Sequence, residues 1–304
     1  MRILVTGGAG FIGSHAVEAL LADGRQVLVL DDLSSGKRAN LPKGVPLEVL
    51  DIRSPEAAER VVAFGADAMV HLAAQMDVRR SVEDPLFDAD VNVRGSLNLL
   101  EACRRAGTRR VIFASTGGAI YGEQEHFPAR EDHPQRPVSP YGCAKSAVER
   151  YLGFYEVEYG FECLSLRFAN VYGPRQDPHG EAGVVAIFCG RLLSGEPCTI
   201  FGDGAQTRDY VYVGDIARAI ALAVGSEVSG ALNLGTGMET DVVLLYRLLA
   251  AAAGSDAEPT FAPARPGEQQ RSCVDPSLAG ERLDWRPEIE LPEGLRKTLE
   301  SFRG

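Results

Sequence analysis

The sequence predicts a doubly wound α/β fold, a parallel sheet with helices on both faces, joined to a smaller C-terminal lobe partly interleaved with it, and three observations predict it. Short apolar runs alternate with helical patterns through the first half. Glycines at 7, 8, 10 and 13 stand between the first run and the first helix, and an acid, Asp31, closes the second run at the distance a dinucleotide-binding unit requires. Strands are expected near 2–6, 26–30, 47–50, 67–72 and 109–114, and helices near 12–22, 55–64, 84–106 and 141–159. After about residue 167 the rhythm breaks into loops dense in glycine and proline, which divides the chain into a first domain, 1–167, and a second lobe, 168–304. Apolar runs at 210–213 and 231–234, with helices at 215–225, 240–253 and 292–302, are expected to return in part to the first domain.

Taken in order, Arg2-Ile-Leu-Val-Thr6 runs straight into the glycine turn. Glycine there lets the backbone turn sharply and approach a pyrophosphate, while the following helix aims its N–H groups and positive dipole end at the anion. The spacing reads as Gly8-x-Gly10-x-x-Gly13 or as Gly7-x-x-Gly10-x-x-Gly13, and either is the form of a Rossmann-type cradle. The second run, Gln26–Leu30, ends on Asp31, whose carboxylate suits the free ribose diol of NAD and would repel the extra phosphate of NADP. Lys37 and Arg38 downstream blunt that repulsion in part. Polar or small residues mark three further strand ends: Asp51-Ile52, His71-Leu-Ala-Ala-Gln75 and Ser115-Thr116. Ligands of such folds bind at the carboxyl ends of the strands.

Composition excludes several classes. A charge of −11 gives no basic face for nucleic acid, and only four of the 31 basic residues are lysine. The six cysteines form no C-x-x-C pair and no histidine stands at ligand spacing, so no metal is expected and reduced thiols are. No apolar stretch is long enough to span a bilayer and the N-terminus reads as a strand, so the expected compartment is the cytoplasm, away from membranes.

Tyr141-Gly-Cys-Ala-Lys145 sets a phenol and an ammonium four apart, on one face of a helix. A tyrosine with a pKa near 10 is a poor base at neutral pH, and an adjacent cation favours its phenolate. Upstream, Phe113-Ala-Ser-Thr-Gly-Gly-Ala-Ile-Tyr-Gly122 brings hydroxyls to a strand end, where Thr116 or Ser115 can donate to an oxygen that alternates between alcohol and ketone.

With these residues in place the chain resembles the extended short-chain dehydrogenase/reductases, and most of all their nucleotide-sugar epimerases. The resemblance covers nearly the whole length. It rests on Thr6-Gly-Gly-Ala-Gly-Phe-Ile-Gly13, Asp31-Asp-Leu-Ser-Ser-Gly36, His71-Leu-Ala-Ala74, Tyr141-x-x-x-Lys145, Leu166-Arg-Phe-Ala-Asn-Val-Tyr-Gly-Pro174, Gly202-Asp-Gly204, Arg208-Asp-Tyr-Val211, Asn233-Leu-Gly235 and Arg265-Pro-Gly-Glu268, in the family's order. It implies that NAD is the cofactor and a UDP-sugar the substrate, epimerised at C4 through a transient 4-keto sugar. Tyr141 would be the base, Lys145 would hold the nicotinamide ribose, and Thr116, with Ser115 as alternate, would supply the hydroxyl. The cofactor would be held by Gly7, Gly10, Phe11, Ile12, Gly13, Asp31, Asp32, Ser35, Gly36, Asp51, Ile52, Leu72, Ala73, Ala74 and Asn92. Asn170, Arg208 and Arg265 would hold the diphosphate end of the substrate.

Resemblance also separates the reactions within the family. A 4,6-dehydratase would carry an Asp-Glu pair after the threonine, and a glucuronate decarboxylase an acid in the same loop, where this chain has Gly117 and Gly118. A non-catalytic NAD-binding regulator would have no need of Thr116, Tyr141 and Lys145. Ser272 falls where a tyrosine would confine the pocket to plain hexoses, so N-acetylated sugars enter the expectation; for a glucuronate sugar, Arg79, Arg80 and Arg175 are the candidate carboxylate partners. The helices near 84–106 and 141–159 resemble those that pair in the family's homodimers.

Overall fold

Four buried residues in a row, Ile3 to Thr6, place β1 (Arg2–Thr6) in the middle of a seven-stranded parallel sheet. The computed structural model describes residues 1–178, 183–264 and 269–303. The sheet continues with β2 (Gln26–Asp31), β3 (Leu47–Val49), β4 (Ala68–His71), β5 (Arg110–Thr116) and β6 (Glu162–Phe168). Short strands follow as β7 (Asn170–Tyr172), β8 (Thr199–Phe201), β9 (Thr207–Arg208) and β10 (Tyr210–Tyr212), and β11 (Gly230–Leu234) then pairs with β6 as the seventh member. Strand order is β11-β6-β5-β4-β1-β2-β3, so the chain reverses its direction of travel between β1 and β4 and opens a crevice there. Every pairing in this sheet is parallel, with Thr6 opposite Leu30 on one side and His71 on the other.

Eleven α-helices are described: α1 (Phe11–Ala22), α2 (Pro55–Phe64), α3 (Val78–Glu83), α4 (Pro85–Ala89), α5 (Gly95–Ala106), α6 (Pro140–Tyr159), α7 (Val184–Ser194), α8 (Val213–Val224), α9 (Val242–Ala253), α10 (Ser277–Leu283) and α11 (Leu291–Arg303). Alternation along β1 divides the core, since successive side chains point to opposite faces. Ile3 and Val5 pack with Leu20 of α1 and Ile216 and Ile220 of α8, whereas Leu4 packs with Val61 of α2, Leu99 of α5 and Val148 and Leu152 of α6. A third cluster, built from Tyr172, Phe188, Leu245, Leu249 and Leu295, joins α7, α9 and α11. Around it lie β12 (Thr240–Asp241), β13 (Thr260–Ala262) and β14 (Arg271–Ser272), paired with β9, β8 and β9 respectively.

The fold class is the one the alternation predicts, and two expectations need correction. The single helix foreseen over 84–106 is broken: α4 passes through a π-helical turn, Asp90–Arg94, before α5 begins. The cause is Asn92, whose amide binds both the N–H and the carbonyl of Gln75 and draws the helix against that loop. β6 has no counterpart among the expected strands; its Leu164-Ser-Leu-Arg-Phe168 alternates apolar and polar residues, yet Ser165 and Arg167 are buried too, Arg167 through its pairing with Glu149.

Leu20 is fully buried between α1, α8 and the sheet, so Leu20→Ala should cost about 2–5 kcal/mol of stability. Leu222→Ala, on the partly exposed side of α8, should cost less than about 1 kcal/mol. Urea unfolding of both variants checks the pair; equal losses would contradict this account of the core.

Candidate active site

The glycine turn closes by backbone contact alone. Gly7 sits at φ +69°, and a Cβ on it would stand 2.6 Å from the Ala73 nitrogen; one on Gly13 would stand 2.0 Å from the Gly7 carbonyl oxygen. Gly10 N–H donates to Gly7 O, and α1 starts at Phe11 with no side chain capping it. The N–H groups of Phe11, Ile12 and Gly13, in the first turn, therefore have no intrahelical acceptor and face outward with the positive end of the helix. A cradle that a Cβ would fill, ending in uncapped N–H groups, fits the pyrophosphate of a dinucleotide.

Asp31 locks this turn. Its Oδ2 accepts the Ala9 N–H and its Oδ1 the Leu33 N–H, both at 2.9 Å, and burial pushes its carboxyl above the usual range. A carboxylate has about four acceptor positions, so two remain for a ribose diol. Gly36 lets the next loop close over it, since a Cβ there would be 2.8 Å from Asp31 Oδ1. Asp32 is exposed and turned onto its own loop, accepting from Ser34 N–H and Oγ–H, and Ser35 is exposed beside it. Asp51 is held by Arg53, with Nη2 at 2.5 Å from Oδ2, which keeps its carboxyl below the usual range; Ile52 is buried against Gly95.

Leu72, Ala73 and Ala74 follow β4 beside Gly7. Leu72 N–H donates to Thr6 O, and Ala73 N–H to Thr6 Oγ1. Behind them runs a buried chain whose direction can be assigned: Ser96 Oγ–H donates to Asn92 O, so His71 Nε2–H donates to Ser96 Oγ and His71 Nδ1 accepts from Thr6 Oγ1–H at 2.7 Å. Burial drives the His71 pKa down to about 3, so this imidazole stays neutral. Asn92 thus serves the crevice by fixing the Gln75 loop.

The polar pair lies across the crevice. Ser139 caps α6 by accepting the Gly142 N–H, Pro140 opens the helix and Gly160, at φ +65°, ends it. Gly142 brings the first turn of α6 onto the loop after β5, where a Cβ would meet the Ala119 carbonyl oxygen at 2.7 Å. Ala119 N–H in turn donates to Thr116 Oγ1, which leaves the threonine proton to donate. Tyr141, half-buried, and Thr116 are brought to the same loop in this way. Lys145 is buried, gives one hydrogen bond to Ala114 O at 2.8 Å, and lies 5.7 Å from the Tyr141 ring centre. Desolvation pulls its pKa down to about 8, against the opposing pull of Asp88 and Glu149.

Ser115 and Thr116 separate clearly. Ser115 Oγ donates to Glu149 at 2.6 Å, inside a buried pair that Glu149 forms with Nε and Nη2 of Arg167, whereas Thr116 faces the loop to Gly118. A Cβ on Gly118 would be 3.7 Å from Asn170 Oδ1, so Asn170 borders the threonine side. Arg208, on β9 beside Ser272, donates to Thr207 O; Ser272 is buried and its carbonyl accepts the Asp209 N–H. Arg265 lies outside the described residues. Arg175 is committed elsewhere, to Glu18, His15 and Asn40 O, and Arg80 stacks on Phe87, so neither meets the expectation of a sugar carboxylate partner.

Residues 3–235 match the family described as the NAD dependent epimerase/dehydratase family. The chain belongs to it. A UDP-glucose 4-epimerase of Mycolicibacterium smegmatis is 48% identical, with 100% of this chain and 99% of that protein covered. Among solved structures, the UDP-glucose 4-epimerase of Thermotoga maritima with UDP-glucose superposes with a TM-score of 0.97 at 49% identity, and that of Thermus thermophilus in complex with NAD with 0.94 at 52%. Each covers 100% of this chain and is itself covered to 99%. Among the described residues no group of His, Cys, Asp and Glu is arranged to hold a metal ion, and no helix is long and apolar enough to cross a membrane.

The lowered lysine pKa has a sign that can be tested. Between about 8 and 10.5 the folded protein has released the Lys145 proton while the unfolded chain still holds it, so stability should rise with pH across that window relative to Lys145→Met. Urea midpoints of both proteins from pH 7.5 to 10.5 measure this; parallel curves would mean that the lysine is not desolvated.

Proposed function

We infer that this chain catalyses the NAD-dependent 4-epimerisation of UDP-glucose and UDP-galactose. What supports the reading is Lys145 beside the Tyr141 ring on a helix whose first turn packs against the loop carrying Thr116, near a dinucleotide cradle and with no acid or base at Gly117 or Gly118. At Gly117 there is little space for one, because a Cβ there would meet Val274 at 2.7 Å. Epimerisation needs only the groups present, whereas loss of water or of carbon dioxide calls for more.

NAD, when bound, supplies a reversible store for the hydride of sugar C4. Gly7, Gly10, Gly13 and the first turn of α1 suit its pyrophosphate, Asp31 its adenosine ribose, and Lys145 its nicotinamide ribose. Tyr141 takes the proton of the 4-hydroxyl and gives it back, and the Lys145 ammonium favours the phenolate that does so. Thr116 donates to the same sugar oxygen while it is a carbonyl. Asn170 and Arg208, with Arg265 by its motif, hold the diphosphate, so binding energy acts away from the carbon that inverts. The sugar end is then free to turn over and present its other face. On this reading, purified protein converts UDP-galactose to UDP-glucose with no added cofactor. Tyr141→Phe should lower kcat by about 10²–10⁴-fold. Bound NAD without turnover of any nucleotide sugar would favour a regulator instead.

The working unit is read as a homodimer. Val82 of α3, Leu86 of α4 and Phe154 and Val157 of α6 are exposed apolar residues on helices that pack together, with Val157 90% and Leu86 83% accessible. Phe154→Glu should halve the mass measured by light scattering; an unchanged mass would remove α6 from the interface.

A further inference from the structure

Of the buried acids that the reaction as derived does not use, Asp209 and Asp215 have backbone N–H donors on their carboxylates, and Asp88 has none. Asp88, on α4, is 1% exposed. Its Oδ1 accepts from Gln75 Nε2 at 3.0 Å and Asn92 Nδ2 at 2.9 Å, and its buried Oδ2 has no hydrogen-bond partner among the described residues. Both donors are neutral amides, so nothing in direct contact compensates the negative charge. A buried, uncompensated carboxylate is costly unless a cation lies within reach of its field.

The cation is on the facing helix. α4 packs against α6, and the charges of Asp88 and Lys145 act on each other. The groups around Lys145 can be accounted for element by element. From α6 itself come Tyr141 and Glu149; from α4, Asp88; from β4, the neutral His71; from β5, the Phe113 ring and the Ala114 carbonyl. Glu149 is already neutralised, because both its oxygens are bound by Arg167 and further donors come from Ser115 and Gln135. Among the described residues, Asp88 is thus the one acid facing Lys145 whose charge is not matched by an arginine.

We propose that Asp88 is a positioning residue for the reaction, the buried counter-charge that keeps Lys145 protonated at working pH and so sustains the phenolate of Tyr141. The Gln75 and Asn92 amides orient the carboxylate, which gives the π-helical turn at Asp90–Arg94 a second purpose: it sets Asn92 where it can bind the Gln75 backbone and Asp88 together. Asp88 does not touch substrate or cofactor in this scheme; it acts through Lys145. The proposal rests on the assignment of Tyr141 and Lys145 above for its catalytic consequence, but its electrostatic content does not.

Four lysines in the whole chain make the test direct. Side-chain carbon signals of lysine-labelled protein give four titrations, with Lys145 identified by its disappearance in Lys145→Met. Asp88→Asn should move the Lys145 midpoint down by about one pH unit or more, while Asp88→Glu holds it nearer the parent value and Asp90→Asn leaves it unmoved. In turnover of UDP-galactose, the alkaline limb of kcat should shift to lower pH by a similar amount in Asp88→Asn with KM unchanged. A purely structural role would lower activity at every pH without moving the limb. If Asp88→Asn is too unstable to purify, Asp88→Asn/Lys145→Met, which removes both charges, should recover the fold. An unmoved lysine midpoint in Asp88→Asn, or a double variant no more stable than the single one, overturns the proposal. Absence of turnover with the midpoint shifted would overturn the epimerase reading and leave the charge coupling standing.

Discussion

A methyl group at Gly13 would stand 2.0 Å from the Gly7 carbonyl oxygen, and one at Gly7 would stand 2.6 Å from the Ala73 backbone, so three segments meet where no side chain fits. Everything downstream depends on that close approach. It sets the first turn of α1 at the mouth of the crevice and lets Asp31 reach back to the Ala9 N–H. It also holds the loop after β4 against Thr6, from which the chain through His71, Ser96 and Asn92 extends to α5. Backbone contacts of this kind are inflexible compared with side-chain packing, and they give the polar groups around them fixed positions.

Charge in the crevice is managed by burial and pairing rather than by exposure to water. Lys145 loses most of its solvent, gains one carbonyl and two aromatic rings, and remains close to its protonation midpoint instead of far below it. Glu149 is bound to Arg167, and burial holds His71 neutral between two hydroxyl partners. A group poised in this way responds to small changes in the field around it, which suits a residue that must stabilise a phenolate in one step and release it in the next.

Much of the site was legible because its motifs are local. A strand, a glycine turn and a helix follow one another within residues 2–22, and Tyr141 and Lys145 share a helix face by spacing alone. Less was legible where meaning depends on a distant partner. Arginines 80 and 175 read as candidate ligands until Phe87 and Glu18 were placed beside them. Asp88 carried only the weak signal of standing four residues before Asn92, and Glu149 that of standing four after Lys145. Neither spacing says what lies opposite.

The sequence by itself determined the dinucleotide cradle and the spacing of the tyrosine–lysine pair, each written in residues close together in the chain, and the family, written in short local motifs in a fixed order. Only the tertiary structure decided between Ser115 and Thr116. Neighbouring residues of a strand point to opposite faces, and which face holds the Glu149–Arg167 pair is fixed by the packing of α6 on β5 and β6. The same packing joined Asp88 to Lys145, 57 positions apart in the chain, because the energy of a buried charge is set by its neighbours in space.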